Sequence, residues 1–479
     1  MGRKGKRMEQ LRKIVLTIAF YIFIGIFAFT VAANQWSACG LLLLFLLIFG
    51  IQKIRQKKQT QKRVPEKLRM VWLKIQPYFP ILLFTVAFFC RFIILNILKI
   101  EPYSDYYTLL TAAECLAGGK NIMAESPYFQ MWGFQTGFVL YQAVILKLFQ
   151  TEMMLHLLDC IYTSLICVWV YFMGKDLWKA DQKLPSILYA GYLFGIAFTG
   201  VLSNQHLYNF LVLLGIWLWL RNDCKEKPCW RVYFVVAILL SLAHIIRTET
   251  ILILLAFFLY ELLKIRKKEE ILIFAKKLIL LLGAYIVISQ GANYLVKVTG
   301  LNPSGLENKN MLWKFVCGAD YESGGRYSER GGEWIGDKEA EKQFILDSYA
   351  SLTPIQWLDF FGKKINNFWT QDSYQWFSKT MEETDQQENG FSRLFVSSVK
   401  FVDGMGYLFV FFFALISMEK ARKQGGTTRD FFIYLLFIHF FVYLVIEVQP
   451  RYAYLARILL FILATDGLQQ GKKILQNEE

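Results

Sequence analysis

Residues 78–98 read YFPILLFTVAFFCRFIILNIL, an apolar run with the length that a helix needs to cross a lipid bilayer. Shortly after it the chain changes to the polar stretch Ser104-Asp105-Tyr106-Tyr107. An acidic side chain at the edge of a membrane is costly to keep and usually has a function. The apolar run therefore predicts a membrane protein, and Asp105 is its first candidate for a functional residue.

The composition of the whole chain also indicates a membrane protein. Hydrophobic residues make up 55% of the 479 residues and charged residues only 19%, and the mean hydropathy is +0.35. One soluble core cannot bury so much apolar surface, so we predict an all-α polytopic protein that passes several times through the bilayer of a cell membrane. The net charge of +15 does not indicate a nucleic-acid partner, because the basic residues cluster beside apolar segments.

The basic residues predict which loops face the cytoplasm. Residues 1–13 contain six Lys and Arg, and residues 52–74 contain nine with Glu66 as the only acid, so both belong on the cytoplasmic side. The loop 299–395 has 15 acids and 10 bases and no evident secondary structure, and we expect it outside. These features divide the chain into an N-terminal hairpin (apolar runs 14–33 and 37–51) with a basic linker within 1–77, core helices within 78–298 with a first outer loop at 99–133, the outer loop 299–395, and C-terminal helices within 396–479.

The number of crossings follows from the two basic termini. Thirteen apolar segments are present, among them 185–201, but an even number of crossings is needed to keep both termini in the cytoplasm. Segment 134–149 is the one that we predict not to span, because it is short and contains polar residues such as Gln135 and Gln142. The expected architecture is a bundle of about 12 transmembrane helices with outer interfacial helices and one large outer loop.

Asp105 is predicted to begin a short helix at the membrane edge. Ser104 is a favourable N-cap, residues 105–117 suit a helix, and Gly118-Gly119 is a typical end. The amide dipoles of a first helical turn favour an ionised carboxylate, which is the form that accepts a proton in general base catalysis. An aspartate in this position that only caps a helix is the alternative.

A second polar cluster, His244-Ile245-Ile246-Arg247-Thr248-Glu249, lies between two apolar segments whose far ends are basic. We therefore expect Arg247 and Glu249 at the outer end of a tight hairpin. A guanidinium group there can hold phosphate oxygens through two parallel hydrogen bonds. An Arg-Glu pair that only holds two helices together is the alternative.

A third cluster, Glu447-Val448-Gln449-Pro450-Arg451-Tyr452, occupies another outer turn, and Arg457 follows one to two helical turns later. We expect Arg247, Arg451 and Arg457 to converge on one anionic headgroup in a cavity that also contains Asp105. A fourth polar break, Asn204-Gln205-His206, lies on the same outer side and suits either contacts with sugar hydroxyls or a simple loop.

The order of these motifs resembles that of GT-C fold glycosyltransferases. The resemblance is to bacterial relatives of the protein mannosyltransferases and aminoarabinose transferases, which use polyprenyl-phosphate sugars. Ser104-Asp105-Tyr106 is similar to the acidic motif of the first outer loop in that family, and Arg247-Thr248-Glu249, the loop 299–395 and the stretch 447–452 follow in the same order. The resemblance covers about residues 78–468.

The chain also departs from that family. Tyr106 and Tyr107 follow Asp105 where many members have a second acid, which leaves the use of a divalent metal open, and we assign no metal ligand and no cofactor. The proline that often follows the final Arg-Tyr pair is missing from Tyr454-Leu455-Ala456-Arg457. The hairpin 14–51 is expected to be an addition outside the core.

The resemblance implies an inverting transfer on the extracytoplasmic side. The donor would be a polyprenyl-phosphate sugar, carried by undecaprenyl phosphate in bacteria, and the acceptor a glycan, glycolipid or protein. Asp105 would accept a proton from the attacking hydroxyl, and Arg247 and Arg451, assisted by Arg457, would neutralise the donor phosphate. Roles in binding or orienting the substrate would fall to Tyr106, Glu114, His206, Glu249, Glu447, Gln449 and Tyr452.

Two other classes of protein share some of these features. A polysaccharide polymerase or lipid-oligosaccharide ligase also has many helices, outer arginines and one large outer loop, but it need not have an acid such as Asp105 in the first outer loop. A secondary transporter is the non-enzymatic alternative, and it is expected to show two similar halves, whereas this sequence shows no internal repeat. The outer loop adds aromatic side chains suited to stacking on sugars or to the membrane interface, namely Trp334, Trp357, Trp369 and Trp376.

Overall fold

The computed structural model describes residues 3–57, 70, 74–370 and 390–475. Within these ranges the chain is helical and has no strand; one isolated backbone bridge joins Trp132 and Asn308. The α-helices are α1 (Arg3–Ala33), α2 (Gln35–Lys57), α3 (Phe79–Leu98), α4 (Asp105–Ala117), α5 (Pro127–Met131), α6 (Thr136–Phe149), α7 (Met153–Trp178), α8 (Leu184–Ala190), α9 (Leu193–Phe198), α10 (Asn204–Asp223), α11 (Trp230–Ile246), α12 (Thr250–Lys264), α13 (Lys268–Val298), α14 (Trp313–Ala319), α15 (Lys338–Ala350), α16 (Pro354–Ile365), α17 (Gly390–Lys423), α18 (Arg429–Val445) and α19 (Tyr454–Leu475). Short 3-10 helices precede α3, α6 and α19 at Gln76–Tyr78, Gly133–Gln135 and Pro450–Ala453, another lies at Glu329–Trp334, and a π-helix follows α16 at Asn366–Thr370.

Five helices in the described ranges are long and apolar enough to cross a membrane: Gly5–Ala33, Gln76–Leu98, Met153–Trp178, Lys268–Val298 and Val396–Lys423. Three further apolar helices are shorter, at Gln35–Phe49, Gly133–Phe149 and Trp230–Ile246. Only 11% of the apolar window of α13 is buried, and side chains such as Ile279 and Val287 point away from the protein. Helices with so much exposed apolar surface are suited to contact with lipid rather than water. The predicted all-α class is confirmed, and the apolar helices are compatible with a membrane protein.

Helix α19 forms the centre of the bundle. Residues 452–468 are all buried, so this part of the helix is enclosed on every side, and it packs against α17, α7 and α8. Gly467 allows the closest approach, because a Cβ atom there would overlap the backbone carbonyl oxygen of Phe413 on α17. A backbone atom cannot move aside as a flexible side chain can, so this contact requires glycine.

Replacing Gly467 by alanine is expected to destabilise the bundle by about 1–3 kcal/mol, the usual cost of overpacking a core. Thermal unfolding of the purified protein measures the effect. Gly283 on α13 is a matched control, because a Cβ atom there meets nothing within 4 Å and alanine is the better helix former. Equal unfolding temperatures for Gly467→Ala and Gly283→Ala would contradict the close contact.

The N-terminal helix belongs to the packed bundle. Arg12 on α1 is buried and donates from Nε to Asp430 Oδ2 over 2.6 Å and from Nη2 to the carbonyl oxygens of Ala421 and Gln424 over 2.8 Å each. Phe23 on the same helix packs edge-on against Trp369, with ring centroids 5.2 Å apart. Helix α1 therefore packs against the C-terminal helices, whereas the apolar side chains of α2 between 42 and 49 are exposed. That the hairpin 14–51 is an addition to the core helices of the family stays a prediction.

Two predicted segments differ in their local structure. The apolar run 185–201 is not one helix but two, α8 and α9, with a break at Gly191-Tyr192 where the carboxylate of Asp403 accepts a hydrogen bond from the Leu193 amide over 2.9 Å. That side chain satisfies an amide that the helix end leaves without a backbone partner. The outer loop 299–395 shows no evident secondary structure in its sequence, but it contains α14, α15 and α16 together with the 3-10 helix at Glu329–Trp334 and the π-helix.

The outer segment docks onto the chain that follows α18. The backbone amide of Glu447 donates to the carbonyl oxygen of Lys314 over 2.7 Å, and the amide of Val448 donates to that of Gly325 over 2.8 Å. Lys364 on α16 is buried, and its ammonium group donates to the carbonyl oxygen of Gly318 over 2.6 Å. Burial lowers the pKa of Lys364 to about 7, although the nearby carboxylate of Glu447 opposes this effect.

The docking of this segment is expected to become more stable as the pH rises above about 7. Lys364 loses its proton there when buried, whereas an exposed lysine keeps it up to a pKa of about 10.4, so the undocked state binds more protons and a higher pH favours docking. Limited proteolysis of the outer segment between pH 6 and pH 9 measures this, with slower cleavage expected at pH 9. In Lys364→Met most of this pH dependence should disappear. If the cleavage rate of that variant changed with pH as much as that of the parent, Lys364 would not be the source of the effect.

Candidate functional site

Three cationic side chains from distant parts of the chain surround the ring of Tyr452. The guanidinium carbon of Arg247 lies 5.7 Å from the ring centroid, that of Arg451 lies 5.4 Å away, and the ammonium nitrogen of Lys314 lies 4.4 Å away. Cations repel each other, so such a group is stable only with nearby carboxylates, aromatic faces or a bound anion. We call Arg247, Lys314, Arg451 and Tyr452 the cation cluster.

Lys314 belongs to a paired part of this cluster. Its ammonium donates to Glu447 Oε2 and to the Tyr452 hydroxyl, each over 3.0 Å, and that hydroxyl donates to the same Glu447 oxygen over 3.1 Å. The side-chain amide of Gln449 donates to the other oxygen of Glu447. Burial disfavours the ionised carboxylate, but the adjacent Lys314 ammonium outweighs this effect and lowers the pKa of Glu447. Glu447 therefore stays ionised and fixes the direction of Tyr452.

Arg247 is also paired. It forms an ion pair with Glu249, which accepts a further hydrogen bond from the Tyr443 hydroxyl over 3.0 Å. The Nη1 atom of Arg247 donates to Asn204 Oδ1 over 3.0 Å, so the turn after α11 is tied to the start of α10. Arg247 and Glu249 therefore form the predicted pair. Because the pair also contacts Asn204 and Tyr443 on other helices, these contacts agree equally with the alternative that it only holds helices together.

Arg451 differs from the other two cations. Its Nη1 donates to the hydroxyl of Tyr106, and its guanidinium carbon lies 5.4 Å from the centroid of the Tyr106 ring. Within the described residues it forms no ion pair with a carboxylate, and its Nε atom is buried without a hydrogen-bond partner, as is the Nε atom of Arg247. Buried N–H groups almost always have a partner, and a buried charge needs a counter-charge. The cluster therefore places three cations beside two carboxylates, Glu249 and Glu447, and Arg451 is attracted by Glu447 without forming an ion pair of its own.

Asp105 lies beside this cluster. It begins α4 as predicted, and Oδ1 accepts a hydrogen bond from the Tyr128 hydroxyl over 3.1 Å. Burial and the Asp105 carboxylate raise the pKa of Tyr128, so the phenol keeps its proton and donates it to Asp105. The next residue, Tyr106, carries the hydroxyl that contacts Arg451, which links Asp105 to the cluster through one peptide unit. The predicted cap is not formed, since Ser104 has a φ of 51° and its side chain makes no capping hydrogen bond.

The segment before α6 connects Asp105 to the Arg247 turn. Gln135 Oε1 accepts a hydrogen bond from Asn204 Nδ2 at 3.5 Å, and Asn204 also binds Arg247. Gly137 makes this approach possible, because a Cβ atom there would overlap the carbonyl oxygen of Ile245. Four predicted elements, the start of α4, the polar break at the start of α10, the turn after α11 and the turn before α19, thus meet at one end of the bundle.

Three predicted residues lie apart from the cluster. Arg457 is fully buried, with Nη1 donating to the Tyr192 hydroxyl over 2.8 Å and Nη2 to the carbonyl oxygen of Phe368 over 3.3 Å, so it does not join Arg247 and Arg451. His206 is also buried and directs Nε2 to the carbonyl oxygens of Phe198 and Val201 at 3.0 and 3.1 Å. Glu114 is exposed on α4 beside Glu152, away from the arginines.

Lys314, Tyr128 and Tyr443 were missed by the sequence reasoning. Lys314 lies among ten basic residues of the outer loop, and nothing in its local pattern separates it from the others. The aromatic residues around 128 do indicate a possible site, because they follow Asp105 in the same outer loop. An aromatic belt at the membrane interface explains that pattern equally well.

The predicted tryptophans of the outer loop have different positions. Trp369 is buried in the core against Phe23, and Trp357 stacks on Tyr349 with ring centroids 5.1 Å apart. Trp334 packs near Phe344 with centroids 5.2 Å apart. Trp376 lies outside the described residues.

In the described ranges no group of three or more His, Cys, Asp or Glu side chains is arranged to hold a metal ion. All eight cysteines are free thiols. A comparison of the chain with protein-family models found no matching family, and a search of curated proteins found no significant match.

Proposed function

We propose that the protein is an integral membrane glycosyltransferase that moves a monosaccharide from a polyprenyl-phosphate sugar to an extracytoplasmic acceptor with inversion. The observation that supports this most is Arg451, a half-buried cation that forms no ion pair with a carboxylate in the described residues and whose Nε atom is buried without a hydrogen-bond partner. Its Nη1 atom donates to the hydroxyl of Tyr106, the residue that follows Asp105. An anionic headgroup satisfies that guanidinium, and a phosphate suits its planar donor geometry. The order of the motifs along the sequence resembles that of the GT-C family, and the assignment to this reaction rests on that resemblance.

In this proposal the cation cluster holds the donor phosphate and Asp105 acts on the acceptor. The guanidinium groups of Arg247 and Arg451, with the Lys314 ammonium, stabilise the negative charge that develops on the phosphate as it leaves the anomeric carbon. Asp105 accepts the proton of the acceptor hydroxyl, which attacks from the opposite face of the sugar. The hydrogen bond from Tyr128 orients the carboxylate for that role. A phosphate leaves as an anion, so this scheme needs no second acid.

The proposed membrane arrangement keeps about 12 crossings. The crossings are α1, α2, α3, α7, the broken pair α8 and α9, α10, α11, α12, α13, α17, α18 and α19, and α6 does not span. The cation cluster then faces the extracytoplasmic side of a cell membrane, where an undecaprenyl-phosphate donor is available. Arg12 and Asp430 belong to the opposite, cytoplasmic end.

The first experiment is a donor panel. The full chain in lipid nanodiscs is offered a series of radiolabelled undecaprenyl-phosphate monosaccharides, and binding and transfer of label to glycan, glycolipid and protein fractions are measured. Transfer from one donor identifies the sugar and supports the proposal. Chain extension only from a pyrophosphate-linked oligosaccharide would indicate the polymerase or ligase, and uptake into vesicles without a product would indicate a transporter; either result overturns the proposal.

A further inference from the structure

A small cavity lies next to the cation cluster and is not used in the proposed reaction. Its volume is 170 Å³, and it lies between the end of α11, the end of α13 and the turn 304–307. Its lining side chains are mainly neutral and polar, and the residues are Phe134, His244, Ile245, Thr248, Ser289, Gln290, Asn293, Leu306 and Glu307. Pockets for drug-sized ligands are about 300–1,000 Å³, so this cavity suits something smaller.

Two hydrogen-bonding groups of the cavity have no partner within the described residues. These groups are the hydroxyl of Ser289, a residue that is only 9% exposed, and the Nδ1 atom of His244. Both atoms are buried. Since buried polar groups are almost always satisfied in a protein's working state, both groups indicate a polar ligand or ordered water. Exposed Gln290 and Glu307 mark the side on which the cavity meets the surface.

The charge of the lining selects the class of ligand. No Lys or Arg lines the cavity, and its only acid, Glu307, is paired with Lys297 and accepts a hydrogen bond from Asn293 over 3.2 Å. The site is therefore unsuited to phosphate, in contrast to the cation cluster. Hydroxyl, amide and imidazole groups beside one phenylalanine suit an uncharged ring that carries several hydroxyl groups.

The cavity is built rigidly and shares its walls with the candidate active site. Asn302 Nδ2 donates to the Phe129 carbonyl and to the Thr136 hydroxyl, each over 2.9 Å, and Ser304 Oγ donates to the Gln130 carbonyl over 2.8 Å. These bonds fix the turn against residues 127–136, the segment that carries both Tyr128 at Asp105 and Phe134 in the cavity wall. Thr248 in the cavity wall directly follows Arg247 of the cation cluster in the sequence.

We propose that this cavity binds one neutral monosaccharide ring, with Ser289 and His244 hydrogen-bonding to its hydroxyl groups. The volume is comparable with a single hexose ring and excludes a lipid chain. Binding of the ring stands independently of the proposed transfer, whereas its assignment to the acceptor or to the donor rests on that function. The sugar of the acceptor and the sugar of the donor would both present hydroxyl groups to the cavity.

The test measures binding of free sugars to the full chain in nanodiscs prepared without glycoside detergents, which would compete. Saturation-transfer NMR is recorded with the methyl glycosides of glucose, galactose, mannose and N-acetylglucosamine, and with methyl glucuronide as a charged probe. We expect saturable binding of at least one neutral glycoside and none of the glucuronide. Ser289→Ala is expected to weaken it about three- to ten-fold, the loss of one hydrogen bond, and to leave thermal stability unchanged because the hydroxyl has no protein partner.

Two further variants complete the test. His244→Phe keeps the edge-on ring contact with Tyr285, whose centroid is 5.1 Å away, but removes the nitrogen, and it should also weaken binding. Ser241→Ala is the matched control. Ser241 lies on α11, as His244 does, and its hydroxyl already donates to the Ala237 carbonyl over 2.7 Å, so we expect this variant to bind glycosides as the parent does. No saturable binding of any glycoside, or equal binding by the parent, Ser289→Ala and His244→Phe, overturns the proposal.

Transfer kinetics show whether the bound ring belongs to the acceptor or to the donor. They also test the transferase proposal separately from the cavity proposal. A rise in the acceptor KM of Ser289→Ala with unchanged donor affinity assigns the ring to the acceptor, and the reverse assigns it to the donor; both support the site. If the protein transfers no sugar but binds glycosides through Ser289, the transferase proposal fails and the cavity site stands. If transfer occurs and glycoside binding does not respond to Ser289 or His244, the cavity site fails alone.

Discussion

Replacing Asp105 by asparagine is expected to lower sugar transfer by about 10²–10⁴-fold, the range that a positioned general base contributes. Asparagine has nearly the same shape, and its Oδ1 can still accept the hydrogen bond from Tyr128. Folding and donor binding should therefore remain unchanged, because neither depends on the negative charge. Single-turnover transfer of a labelled donor, its dissociation constant and the unfolding temperature measure the three effects separately.

A matched control separates this result from a general effect of removing a negative charge. Glu125 is an exposed acid of the first outer loop, 99–133, which also contains Asp105, so Glu125→Gln should transfer sugar at the parental rate. Full activity of Asp105→Asn would show that another group accepts the proton. The aspartate would then be only the first residue of α4, as in the alternative interpretation of its sequence position.

Replacing Arg451 by alanine is expected to weaken donor binding by about 10–100-fold, which corresponds to the 1.5–3 kcal/mol typical of hydrogen bonds to charged groups. The loss in overall stability should be small. Arg451 forms no ion pair with a carboxylate among the described residues, and Glu447, which its charge attracts, keeps its ion pair with Lys314, so the substitution leaves no buried carboxylate without a cation. Equilibrium binding of the labelled donor and thermal unfolding test both parts.

Two comparisons sharpen this prediction. Arg451→Lys keeps the charge but loses the planar pair of donors, so it should recover only part of the affinity. Lys309 is an exposed cation of the outer loop 299–395, which also contributes Lys314 to the cation cluster, and Lys309→Ala should leave donor binding unchanged. A variant Arg451→Ala that unfolds at lower temperature but binds the donor normally would assign this arginine to helix packing.

The helices and the positions of the polar motifs at their ends were predictable from local pattern. The apolar runs, the helix that starts at Asp105 and the turn at Arg247 all depend on neighbouring residues in the chain. The expected convergence of three arginines was only partly correct. Arg451 and Arg457 are six positions apart, which at about 100° per residue separates their directions by roughly 120°, and Arg451 lies in the 3-10 turn before α19, so only Arg451 reaches Tyr452.

The order inside the outer loop was not predictable in the same way. Its helices α14 to α16 have only 7, 13 and 12 residues, lengths at which an isolated helix is marginal in water. Helix α16 does carry local signals, since Thr353 and Gln356 form a capping box and Pro354 begins the helix, but these signals do not reveal where it docks. Its position depends on tertiary contacts such as that of Lys364 with Gly318.

The sequence by itself determined that this protein is a set of apolar helices with basic loops, because burial in lipid and the placement of charges depend on composition over short stretches. Only the tertiary structure decided that Arg247, Lys314 and Arg451 meet at the ring of Tyr452 beside Asp105. These residues come from four separate parts of the chain, and their distances follow from how helices pack. Helix packing depends on side-chain shape, such as the missing Cβ atoms at Gly137 and Gly467, and no local pattern reveals which surfaces will fit together.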